Sequence, residues 1–379
     1  MKDRNTTFTV LSAIAMILVM LGHLDWNVLT FWGLFPYYSY HVLIFVFVSG
    51  YFYKPENENN ILKYIVHKAK TLMLPYFVWN LIYGLVACML HSAGIQIGEG
   101  LSVYNLLVAP FAGGHQFMYN ATAWFVPALF LLEICNVIAR RILSFVKIRN
   151  EWIIMAGYLA VGVFAVFMAI RGSVYDYYKI PGRLMVMAPA LQLGRIYRDK
   201  LEKIDRLPAF IYIPVLFAVN LLLVKTQGGL NYSVVWVTGF ANGPVIPFVT
   251  AVTGIALWLR IAKLIAELLD GKFEGRAITK AIKFFGSNTY SVMMHQLIAF
   301  MGIKSIFAVL ANAGVCADFD KVQFATDVYY TYVPSGLEIF KLVYMITGII
   351  ISLLIGAGSS WIAGKISAMI KKERNKCQN

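Results

Sequence analysis

Charge is what this chain has least of. Only 14% of its 379 residues are Asp, Glu, Lys or Arg, against 59% hydrophobic and 15% aromatic. So few polar side chains cannot cover a chain of this length without exposing large apolar areas to water, which excludes a soluble domain. Cysteine is scarce as well: Cys88, Cys135, Cys316 and Cys377 show neither metal-ligand spacing nor a paired framework, so a disulfide scaffold and a cysteine metal site are not expected. No long repeat or low-complexity tract is present, and no separate basic domain. The net charge of +14 is dispersed among short loops, which argues against nucleic acid as a partner.

What is abundant is long apolar sequence. Ten runs, at about 8–24, 38–53, 72–91, 122–139, 152–170, 182–197, 208–224, 244–266, 285–311 and 337–363, are close to the length that carries a helix across roughly 30 Å of hydrocarbon. They are much longer than barrel strands. The expectation is an all-α integral membrane protein of the plasma (inner) membrane. It is one domain over residues 1–379, a single bundle of about ten transmembrane helices. The first run is expected to stay in the mature chain, because Trp26, Trp32 and Tyr37 follow it instead of a small-residue cleavage site. With the N-terminus inside, the inner segments take all of the 33 basic residues except Arg171, Lys179, Arg183, Lys225, Lys304, Lys321 and Lys341. Short cytoplasmic loops retain positive charge, so both termini are expected in the cytoplasm.

With so little soluble sequence, chemistry has to come from helix ends and the bundle interior. His23 ends the first run, and a titratable ring there is costly unless it has partners or a task. Asp25 follows two residues on, and His41 starts the second run. The first two helices thus gather three proton-handling groups at one end. Ser49, further along the second run, has no base close to it in sequence. Glu133 and His295 lie in mid-span, where an ionised or hydrogen-bonding side chain needs a partner. Arg183 starts the sixth run and either binds an acidic group or snorkels to water. Trp124 opens the fourth run as an interface anchor or as a face for a sugar ring. On the cytoplasmic side Lys63, His67, Lys68 and Lys70 cluster before Pro75, where topology alone suffices to explain them and an anionic carrier would find counter-charges. The loop 92–121 holds five glycines and His115 but no Lys or Arg, and 312–335 holds Asp318, Asp320, Asp327, Tyr329, Tyr330 and Tyr332.

Val10-Leu-Ser-Ala-Ile-Ala-Met-Ile-Leu-Val-Met-Leu-Gly-His23 and Tyr40-His-Val-Leu-Ile-Phe-Val-Phe-Val-Ser-Gly-Tyr51 resemble the opening of the membrane-bound acyltransferase 3 family. Lys68-Ala-Lys-Thr-Leu-Met-Leu-Pro-Tyr76, Ala123-Trp-Phe-Val-Pro-Ala-Leu129 and Tyr290-Ser-Val-Met-Met-His-Gln296 follow in the same order. The branch that acylates surface polysaccharides is the most similar. The resemblance implies transfer of an acyl group, commonly acetyl from cytoplasmic acetyl-CoA, to a hydroxyl of an extracytoplasmic or lipid-linked glycan, with membrane lipid around the bundle. His23 stands at the family's catalytic histidine, where a neutral imidazole takes the proton of the attacking hydroxyl. No bound cofactor and no metal are implied, only the acyl-CoA donor. On this reading Asp25 orients the ring or stabilises its charged form, while His41, Trp124, Glu133, Arg183 and His295 line the acceptor path. Lys63, Lys68 and Lys70 receive the donor. One position departs: where the family carries a basic residue, eleven before the histidine, this chain has Ser12, which donates one hydrogen bond and neutralises nothing. The competing class is a transporter or flippase that moves a glycan, lipid or small solute through the same cavity, with histidines as proton relays.

Overall fold

The computed structural model describes residues 5–174, 178–230, 232–234 and 237–376, with side chains described to 369; Lys2, Arg4 and Cys377 lie outside them. Among the described residues the chain is helical, with no strand beyond the isolated bridge Ser233–Thr238. In order come α1 (Thr6–His23), α2 (His41–Phe52), α3 (Ile61–Lys68), a π-turn (Ala69–Met73), α4 (Leu74–Ser92), α5 (Phe125–Phe145), α6 (Glu151–Ile170) and α7 (Lys179–Ile196). Then follow α8 (Ala209–Gln227), α9 (Ile246–Asp270), the amphipathic α10 (Ala277–Ser287), α11 (Thr289–Asn312), the short α12 (Lys321–Thr326) and α13 (Lys341–Lys376).

Eight of the described helical segments are long and apolar enough to cross a membrane: Thr6–His23, Ile61–Ser92, Ala121–Phe145, Glu151–Ile170, Ala209–Gln227, Ile246–Asp270, Thr289–Asn312 and Glu338–Met369. The two remaining apolar runs of the sequence are helical as well, but of another kind. α2 has 12 residues, about 18 Å of helix, which is short of the hydrocarbon thickness. α7 carries Lys179, Arg183, Gln192 and Arg195 with Pro189 in its interior. Both are largely buried among the other helices, and they pack on each other through two glycines. A Cβ at Gly50 would collide with the Leu191 carbonyl, and one at Gly194 with the Phe47 carbonyl, so the two backbones touch.

The core runs along α1, which is apolar almost all round and buried from Phe8 to Gly22 except at Ser12 and Ile17. A helix apolar on every face belongs inside protein or lipid, and here α2, α9, α10 and α11 enclose it. α8 lies at the periphery with only Asn220 buried.

Candidate active site

α1 stops just after His23, and backbone geometry shows why. Leu24 caps the helix and Asp25 takes φ of 47°, the left-handed position usually given to glycine. The Asp25 amide donates to the Gly22 carbonyl at 3.2 Å and the Trp26 amide to the Leu21 carbonyl at 3.0 Å, which closes the last turn as a Schellman motif. The Asp25 carbonyl accepts from the buried Lys341 ammonium at 3.1 Å. Its carboxylate is exposed and makes no hydrogen bond or ion pair among the described residues, so the geometry gives Asp25 a backbone role beside His23. The His23 Nδ1 atom is buried and makes no hydrogen bond among the described residues.

Around His23 the chain assembles aromatic and cationic groups from distant segments. His41 and His115 lie close enough to act on it electrostatically. Tyr329 stacks on its ring, with centroids 5.7 Å apart and planes 11° from parallel. The Tyr38 hydroxyl donates to the Gly22 carbonyl at 2.7 Å and its ring meets His41 edge-on at 5.4 Å. The His41 ring, 3% exposed, has Nδ1 2.5 Å from the Tyr37 carbonyl, which assigns the proton to Nδ1 and leaves Nε2 as the acceptor. His115 stacks on Trp124 at 6.3 Å, and the Arg183 guanidinium sits 4.3 Å over the Trp124 ring while donating to the Gly113 carbonyl at 3.0 Å. Burial, together with Arg183, pushes the His115 imidazole down to about 4. His23, His41, Trp124 and Arg183 are therefore brought to one end of the bundle. No three His, Cys, Asp or Glu side chains are grouped as metal ligands among the described residues.

The other polar residues singled out in the sequence go elsewhere. Glu133, 2% exposed, is paired with Lys68 at 2.7 Å and accepts a short hydrogen bond from the Ser49 hydroxyl. The carboxylate in mid-span thus has its counter-ion, and the ammonium of Lys68 is spent on it. Lys63 and Lys70 remain exposed beside it. His295 packs edge-on against Trp79 at 4.2 Å and lies 2.7 Å from the Tyr83 hydroxyl, in the seam between α4 and α11. Its neighbour Gln296 is fully buried, and neither end of its amide is hydrogen-bonded among the described residues. Ser12 donates to the Phe8 carbonyl at 2.9 Å, so its hydroxyl serves its own helix. Cations on that side of the bundle include Arg260 and Lys263, both held by Asp205, in a cleft of about 580 Å³ that also includes Thr7, Arg206 and Glu267.

Sequence reading passed over Tyr38 and mentioned His115 and Tyr329 only as loop composition. The available signal was weak: a lone histidine in a loop without Lys or Arg, and a tyrosine cluster beside aspartates. It also missed a buried four-membered network. Arg140 pairs with Glu58 at 3.0 Å and Glu151 at 2.7 Å, and Arg195 reaches Glu151 at 3.1 Å and Glu58 at 3.6 Å. A family model described as an acyltransferase domain matches residues 8–356. No curated protein and no solved structure matches the chain.

Proposed function

The chain belongs to the acyltransferase 3 family, and from that premise we propose that it moves an acyl group, acetyl in the first instance, from cytoplasmic acyl-CoA to a hydroxyl of an extracytoplasmic or lipid-linked glycan. The observation that carries the reading is the His23 imidazole. It ends the central helix, has a buried Nδ1 without a hydrogen bond among the described residues, and stands among His41, His115, Trp124 and Arg183. A hydroxyl is a poor nucleophile at neutral pH. An imidazole in hydrogen-bond reach takes its proton as the oxygen attacks the thioester carbonyl, and returns a proton to the departing thiolate. The ester bond forms as the carbon–sulfur bond breaks, so nothing beyond donor and acceptor is consumed, and no resident cofactor or metal is required.

The two ends of the bundle suit the two substrates. Trp124 offers an aromatic face to a sugar, and Arg183 above it favours an acceptor with anionic character. At the opposite end the exposed Lys63 and Lys70 face a carrier that bears several phosphates. Lys68 contributes there through Glu133 and fixes the turn from α3 into α4.

The test uses protein in liposomes with labelled acetyl-CoA and surface-glycan extract. Wild type labels the glycan, and His23→Ala loses about 10²–10⁴-fold in rate, the usual weight of a general base. Transfer that survives His23→Ala removes His23 as the base. Proton-coupled uptake without labelled product replaces transfer with transport.

A further inference from the structure

A histidine in the last turn of a helix carries its imidazole on two rotatable bonds beyond the end of the regular backbone. Protein sites usually fix such a ring through a hydrogen bond to one of its nitrogens. At His23 no side chain supplies such a bond among the described residues, and the Val19 carbonyl one turn back along α1 is the backbone group that acts on the ring. Nδ1 has no partner among the described residues, and Asp25 turns its carboxylate to the surface. The nearby Tyr38 hydroxyl and His41 Nδ1 are occupied by the carbonyls of Gly22 and Tyr37. What does meet the imidazole is one aromatic face, that of Tyr329, nearly parallel to it at 5.7 Å.

Tyr329 is delivered by a strap, residues 313–340, that runs from α11 to α13. The backbone on either side of the tyrosine is pinned. Lys304, wholly buried on α11, donates to the Val328 carbonyl at 2.8 Å. The Tyr329 amide donates to the Asp327 carboxylate at 2.8 Å, and the Tyr344 hydroxyl of α13 to the Tyr332 carbonyl at 3.0 Å. The Gln96 amide ties Ala325 to the neighbouring loop at 2.7 Å, and Lys341 ties the end of the strap to the Asp25 carbonyl. A charged lysine buried to hold one carbonyl is an expensive anchor, justified where the backbone it holds must not move. Tyr329 as a residue is 37% exposed, so it is not core filling, and its ring lies against the His23 imidazole.

We infer that Tyr329 is the positioning residue of His23, an aromatic clamp in the place where a hydrogen-bonded carboxylate orients other histidine bases. The inference rests on His23 being the base. With one face of the imidazole closed, the acceptor hydroxyl meets the ring at its nitrogen edge.

The test compares Tyr329→Phe, Tyr329→Leu and Tyr329→Ala with wild type in liposomes, by acyl transfer and by carbethoxylation of His23 with diethyl pyrocarbonate read on the His23 peptide by mass spectrometry. Phe keeps the stack and retains the wild-type rates in both assays. Leu and Ala lower kcat about five- to tenfold, the weight of one aromatic pair, with KM for the donor unchanged. They also speed His23 modification by a similar factor. Tyr329 stands on a surface strap and Leu keeps an apolar side chain there, so a loss shared by Leu and Ala at unchanged thermal unfolding is not a folding defect. Wild-type transfer and wild-type modification in Tyr329→Ala overturn the clamp. So does a loss in Tyr329→Phe equal to that in Tyr329→Ala, which would move the role to the hydroxyl. If wild type transfers nothing, the modification rates still decide the clamp while the transfer reading falls alone.

Discussion

Asp25 illustrates how a residue beside a reactive group can be there for its backbone. Its left-handed φ is what turns the chain after His23, and a non-glycine residue in that region costs roughly 1–2 kcal/mol, less for Asp than for others. Asp25→Gly is expected to keep transfer and to hold or raise thermal stability by up to about 1 kcal/mol. Asp25→Val, β-branched, is expected to lower it, as thermal unfolding in detergent will read. A loss of transfer in Asp25→Gly at unchanged stability would return the carboxylate to the chemistry. His115 gives a second prediction, through pH. Its folded value of about 4 lies below the ordinary 6.5, so between those values the unfolded chain binds a proton that the folded chain refuses. Stability therefore falls as pH drops from 6.5 toward 4. His115→Gln should recover a share of that loss, on the order of 1–3 kcal/mol, visible as a smaller fall in Tm from pH 7 to pH 5.

At the scale of elements, the pair α2 and α7 shows where hydropathy is an incomplete guide. Both were visible in the sequence as apolar runs, and both are helices, yet one is too short and the other too charged to qualify as a span by length and composition. Burial against each other compensates. Gly50→Val should cost about 3 kcal/mol or more, because the new methyls meet a carbonyl on an immobile neighbouring backbone; a stable, monodisperse Gly50→Val protein would show that the helices can slide apart. The network around Arg140 gives these elements their second joint. It links the 55–59 turn, α5, α6 and, through Arg195, α7, and Gln192 completes it with an acceptor for Arg140 at 3.1 Å. Arg140→Ala should destabilise by roughly 3–5 kcal/mol, since it leaves two largely buried carboxylates to Arg195 and, for Glu151, the Gln192 amide.

Across the whole molecule, the sequence disclosed what depends on local chemistry: helical class, apolar runs close to the observed helices, and the costly placement of His23, Glu133 and His295. Glu133 was legible as needing a partner. That the partner is Lys68, 65 residues away, was not, because ion pairing across helices leaves no trace in spacing. The same holds for His23: residues 41, 115 and 329 surround it from separate loops and helix ends, with 124 and 183 packed behind His115, and only packing decides that. Ser12 is the converse case. The departure from the family pattern is plain in the sequence, while cations on that side of the bundle, Arg206, Arg260 and Lys263, are identified by the cleft they share with Thr7.

The central place of α1 has a consequence for how the protein is made. Its neighbours α9, α10, α11 and the clamp at Tyr329 are synthesised some 230 to 310 residues later, roughly 10–60 s at 5–20 residues per second. During that interval α1 has α2 beside it but not α9, α10 and α11. Its even apolarity lets it wait in lipid, and the one group unsuited to hydrocarbon, the His23 imidazole, sits in the last turn, where it can stay at the membrane surface until the C-terminal half arrives and closes over it.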